Sequence, residues 1–165
     1  MIREQICRVN VSQGDKKAVL YALHDTGHSL CDPYDGAPVL TVWHRALYSL
    51  WSKDEQEILE QLEAQGSVWC AEKLSVVSPG KFRLIPYRAV GVNSAMLLTV
   101  RADAVCINGE SYGKLTLALS PTPVSDGEGY TALWGGERKG EPENVVSNQS
   151  VISSAFTAAG TDPSG

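Results

Sequence analysis

Only one window of this chain, His44 to Gln65, repeats its apolar residues at helical spacing. Everywhere else the apolar residues come in short runs cut by Gly, Pro, Ser and Asn, which points to a mainly β fold. Cys7, Val9 and Val11 alternate with Arg8 and Asn10, the period of a strand. Gln13-Gly14-Asp15 reads as a turn, and Ala18 to Leu23 as the return strand of a hairpin. Pro38 to Trp43 reads as a short strand. In the helical window, Ala46, Leu47, Leu50 and Trp51 fall on one face, Ser52-Lys53-Asp54-Glu55 has the form of a capping box, and Ile58, Leu59 and Leu62 carry a second stripe that Gly66 ends. The runs 68–70, 74–77, 82–85, 96–100, 105–107 and 115–119 read as further strands, with Asn108-Gly109 as a hairpin turn. From Gly135 the chain turns rich in Gly, Ser, Ala and Glu, so a folded domain over 1–134 and a disordered tail over 135–165 are expected.

A 165-residue chain that is 43% apolar and 20% charged can bury a core of its own. Its net charge of -5 argues against a nucleic-acid partner, which calls for a basic face. Cys7, Cys31, Cys70 and Cys106 show no paired metal spacing and read as core thiols. Trp43, Trp51, Trp69 and Trp134 read as core or interface aromatics. The first residues form no apolar leader, and no run approaches the roughly 18 apolar residues of a spanning helix. A cytoplasmic location is the resulting expectation.

The chemistry concentrates at His24-Asp25-Thr26-Gly27-His28, directly after the second strand. As a metal site, His24, Asp25 and His28 would have to sit on a helix, and Thr26-Gly27 after a strand-like run opposes that. His44, Asp32 and Asp35 would complete such a site only through the fold, so no metal and no other cofactor is expected. As part of an acid protease, each residue has a task. Asp25 would share one proton with a second aspartate, Thr26 would bond across to the partner loop, and Gly27 would let two backbones approach. The chain holds one such triplet; Ser125-Asp126-Gly127 has the wrong order. The reading therefore demands a two-fold homodimer. A third reading makes Asp25 a turn cap that accepts backbone N–H bonds.

Four segments carry a family resemblance. "ALHDTGHSLCDPYDGAPV", 22–39, resembles the catalytic stretch of the sporulation sigma-E-factor-processing aspartic peptidases, with Asp25, Thr26, Gly27, Leu30, Asp32, Pro33, Pro38 and Val39 in register. "FRLIPYRAVG" (82–91), "MLLTVRADAV" (96–105) and "LALSPTPVSDGEGYTALW" (117–134) resemble later segments of that family, in the same order. The resemblance implies a retropepsin-like β-rich fold working as a dimer, with Asp25 in the catalytic place; with the helical window, the expected fold is a retropepsin-like half-barrel carrying one or two short helices at about 44–65. It also implies cleavage of an inactive sigma-factor precursor in the mother cell of a sporulating bacterium. Relatives carry an N-terminal membrane domain that this sequence does not show, which leaves three readings: a shortened member, a chain paired with a separate membrane or signalling partner, or a diverged copy. A non-catalytic relative that dimerises or binds the precursor is the alternative, and a metal-dependent hydrolase a further one. His28 replaces the family's Asn and His24 precedes the aspartate, so both become candidates for tuning the aspartate pKa. Arg83 and Ile85 become candidates for a substrate groove or dimer interface, with a core ion pair as the other role for Arg83.

Overall fold

The computed structural model describes residues 5–25, 27, 28, 30–89, 92–127 and 129–136. Thr26 and the expected tail beyond residue 136 lie outside them. The hairpin is present as β1 (Gln5–Gln13) and β2 (Lys16–His24), paired from Gln5↔His24 to Gln13↔Lys16. Cys7, Val9 and Val11 of β1 and Ala18, Leu20 and Ala22 of β2 face inward. Gly14 turns the hairpin at φ 61°, and its N–H donates to Asp103 Oδ2 at 2.7 Å.

After the loop that follows β2 come β3 (Leu40–Trp43), a 3₁₀ segment (His44–Leu50) and three short helices. These are α1 (Lys53–Leu59), α2 (Leu62–Gln65) and α3 (Ser67–Val77). The chain then returns to strands: β4 (Phe82–Ala89), β5 (Val92–Ile107), β6 (Glu110–Ser120) and β7 (Ala132–Trp134). Asn108 at φ 50° and Gly109 at φ 83° make the β5–β6 turn, the backbone that this dipeptide favours.

The expected half-barrel closes on itself. The strand order is β1-β2-β7-β3-β6-β5, and β1 also pairs β5 through Val9↔Ile107 to Ser12↔Ala104. Irregular register between Ala102 and Cys106 lets one long strand serve two neighbours, its first half pairing β4 and its end pairing β1. The result among the described residues is a closed, mixed, six-strand barrel, with β4 attached outside the ring on β5 alone. β4 carries Pro86, which has no N–H to offer a further strand. The parallel pairs are β2–β7 and β3–β6.

Two expectations from the sequence change here. The runs 68–70 and 74–77 are one helix, α3, not two strands. Short apolar runs fit either structure, and Cys70 and Leu74, four residues apart, are the pair this helix buries. Of the four cysteines, Cys7 and Cys70 are core thiols and Cys106 is half-buried, but Cys31 is exposed, because it lies on the loop that bridges to Pro38. Trp51 and Trp134 are buried, and Trp69 packs partly against the core. The capping box forms as expected: Ser52 Oγ accepts the Glu55 N–H at 3.2 Å, and Glu55 Oε1 accepts the Ser52 N–H at 2.9 Å.

Candidate functional site

The apolar alternation of β2 ends at His24, where the strand leaves the barrel. The β2–β7 ladder runs to His24↔Trp134, and Asp25 extends it by donating its N–H to the Trp134 carbonyl at 2.8 Å. The chain then turns. The His28 N–H donates to the Asp25 carbonyl at 2.9 Å, and the Gly27 N–H to Asp25 Oδ1 at 2.9 Å. Asp25 is half-buried, and no other donor among the described residues reaches its carboxylate. One oxygen is thus held by a backbone amide.

The two histidines point apart. His24 Nε2 lies 2.8 Å from the Gly136 carbonyl. His28 is 2% exposed, and its Nε2 lies 3.1 Å from the Thr41 hydroxyl on β3. Burial pushes the His28 pKa down to about 4 against the opposing pull of the Asp25 charge. At neutral pH it is an uncharged ring beneath the turn. Among the described residues, no three His, Cys, Asp or Glu side chains converge as a metal would require.

Downstream of the turn, Val39 N–H donates to the Leu30 carbonyl at 3.0 Å and Asp32 N–H to the Ala37 carbonyl at 2.8 Å, which folds residues 30–39 into a tight loop. Its anchor is Asp32, 1% exposed. The Tyr34 N–H (2.8 Å), the Thr116 hydroxyl (2.7 Å) and Arg83 Nη2 (3.1 Å) all donate to this carboxylate. Burial alone would raise its pKa, and these three donors together hold it below the usual carboxylate range. Arg83, 38% exposed along its side chain, also stacks over the Tyr34 ring at 5.0 Å. Ile85 is fully buried in a small second cluster with Leu30, Val39, Tyr87, Ala95, Leu97 and Ala118. This cluster seats the loop after Asp25 on the β4–β5 hairpin.

Sequence reasoning passed over Trp134-Gly135-Gly136. A methyl group on Gly135 would overlap the His28 carbonyl, and one on Gly136 would overlap the Trp134 ring. Both glycines are there because the backbone passes against the Asp25 turn with no room for a side chain. Their place at the start of a Gly-rich stretch hid that. Asp32 was visible as a turn residue, but its pairing across 51 residues to Arg83 was not.

The family model described as "Sporulation factor SpoIIGA" matches residues 1–136 of the chain. A protein of Bacillus thuringiensis subsp. kurstaki, provisionally named a sporulation sigma factor-processing peptidase, is 26% identical over 162 residues, covering 90% of this chain and 89% of its own. The sporulation sigma-E factor-processing peptidase of Bacillus subtilis (strain 168) is 30% identical over 132 residues, 76% of this chain and 42% of its own. That of Priestia megaterium is 23% identical over 134 residues, 79% of this chain and 43% of its own. The chain thus spans less than half the length of these last two relatives. No solved structure matches. No helix among the described residues is long and apolar enough to cross a membrane.

Proposed function

The chain belongs to the sporulation factor SpoIIGA family, and from that premise we propose that it is an aspartic endopeptidase that cleaves the sigma-E precursor. In this reading two copies meet so that their Asp25 turns face each other across a two-fold axis, in a retropepsin-like arrangement. Like charges so close cannot both ionise, so the pair holds one proton. The ionised Asp25 takes a proton from a water, which attacks the scissile carbonyl. The protonated Asp25 hydrogen-bonds the carbonyl oxygen and donates its proton as the oxygen gains charge. The Gly27 N–H holds one Asp25 oxygen in place, and Thr26 is assigned the bond across to the partner turn. No metal or organic cofactor has a step in this mechanism.

One observation carries the reading. Asp25 sits at the end of β2 in a turn fixed by backbone bonds, with a carboxylate that a single amide engages among the described residues. The Gly27 bond is also what a turn-capping aspartate makes, as exposed Asp35 does with the Ala37 N–H at 2.9 Å, so what favours the catalytic reading is the family motif placed at this strand end. His28 supports the turn as a neutral wedge on Thr41. A protonated imidazole from His28 would arise only near pH 4, so its proposed effect on the aspartate at neutral pH is that of a dipole.

The test is co-expression of the chain with the sigma-E precursor of the same organism. The shortened product should appear with the native chain and vanish with Asp25→Asn. Sedimentation should show a dimer at the concentration at which cleavage occurs. A strict monomer that still cleaves would overturn the shared pair, and cleavage surviving Asp25→Asn would overturn the carboxylate mechanism. A native chain that binds the precursor without cutting it would favour the non-catalytic reading.

A further inference from the structure

The turn that carries Asp25 is fastened to the end of β7 at three adjacent places. Asp25 N–H donates to the Trp134 carbonyl at 2.8 Å. The His28 carbonyl occupies the space that a side chain on Gly135 would need. His24 Nε2 meets the Gly136 carbonyl at 2.8 Å. The first contact is part of a strand ladder and the second is shape. Only the third is made by a side chain, and it is the contact furthest along the strand from the barrel. A carbonyl oxygen accepts and cannot donate, so Nε2 carries the hydrogen, and the bond persists whether or not Nδ1 is protonated. Without it, residues 135 and 136 would be held by no side-chain bond of His24, and the Trp134 carbonyl would keep its Asp25 partner at a frayed strand end.

We infer that His24 is a positioning residue: its Nε2–H clamps Gly136 so that the end of β7 buttresses the backbone of Asp25. It touches no reacting atom, and its role is distinct from tuning the aspartate charge. The inference rests on the proposed peptidase reading only for its effect on rate; the clamp itself is a statement about the fold.

Two readouts on the full chain test it. The first is amide hydrogen exchange at Asp25. His24→Ala should speed it about tenfold, as a strand end released to local opening does, while exchange in the barrel core stays unchanged. The second is cleavage of the sigma-E precursor. His24→Ala should lower kcat by 10- to 100-fold, the scale of a misplacement of about 1 Å, with KM within twofold. His24→Gln, whose Nε2 amide can also donate, should restore both readouts to within about threefold of the native chain. Should His24→Ala fail to fold, His24→Gln decides alone: native exchange at Asp25 supports the clamp, and accelerated exchange overturns it. Unchanged Asp25 exchange in a folded His24→Ala also overturns it. If the native chain does not cleave the precursor, the peptidase reading fails, and the exchange measurement still judges the clamp.

Discussion

Asp25 and Asp32 stand on one continuous stretch of chain and are used in opposite ways. Asp32 is buried and has spent its acceptor capacity on a backbone amide, a hydroxyl and a guanidinium. Asp25 is half-buried and, among the described residues, meets one amide. The first cannot leave its donors without stranding a charge in the core, so it can do nothing but hold. On the proposed reading, the second keeps a lone pair for a proton or a water. Chemistry at a carboxylate needs unspent acceptors, and architecture needs them filled. Glu55 falls with Asp32: enclosed, it takes Ser78 Oγ at 2.6 Å, Lys81 Nζ at 2.9 Å and the Ser52 N–H at 2.9 Å, and these hold its pKa down against burial.

The contrast breaks or sharpens under substitution. Asp25→Asn should reduce precursor cleavage by about 10³-fold, within the range for loss of an acid–base group, while leaving the urea midpoint unmoved. A large fall in the midpoint would mean that Asp25 is architectural after all. Asp32→Asn should do the reverse and cost about 3 kcal/mol of stability in urea denaturation at pH 7, because it removes a buried charge from three donors. A loss below about 0.5 kcal/mol would put Asp32 in the same class as a surface charge.

Acid should expose the same division in two stages. His28 and His44 are both buried, and burial pushes both to about 4. An unfolded histidine titrates near 6.5, so the unfolded chain takes up protons first as the pH falls. Stability should therefore drop between about pH 6.5 and 4, on the order of 3 kcal/mol for each histidine, and these two groups add nothing more below that. Asp32 and Glu55 have depressed pKa values, so their contribution is full above the ordinary carboxylate range and is lost at lower pH still, as each is protonated. Chemical denaturation across pH checks this, and His28→Asn should flatten the upper stage by about half. The smallest effect should come from Arg45→Ala. The exposed Arg45–Glu60 pair, at 2.8 Å, should be worth less than about 0.5 kcal/mol in the same assay.

What could be read from the sequence was local. The β1–β2 hairpin, its delivery of Asp25 to a strand end, the capping box at Ser52 and the Asn108-Gly109 turn each rest on neighbours a few residues apart. Helix α3 was missed because a run such as Val68-Trp69-Cys70 has no period of its own; only the packing of Cys70 and Leu74 against the core decides it. Closure of the barrel depends on β1 meeting β5 almost a hundred residues later, through an irregular stretch that no pattern of alternation announces. At the site, Asp25 was legible as a motif. Its buttress at Gly135 and Gly136 was not, since glycine in a Gly-rich stretch looks the same whether it fits against a neighbour or is merely loose.

The closed ring has a consequence for how this chain can be crowded. Among the described strands, the six of the ring each have a neighbour on both sides over at least part of their length, and β4 has a neighbour on one side only. β4 carries Pro86, which has no amide donor to offer a templating strand. On the proposed dimer reading, a strand without that donor is a poor template for adding further copies beyond the pair.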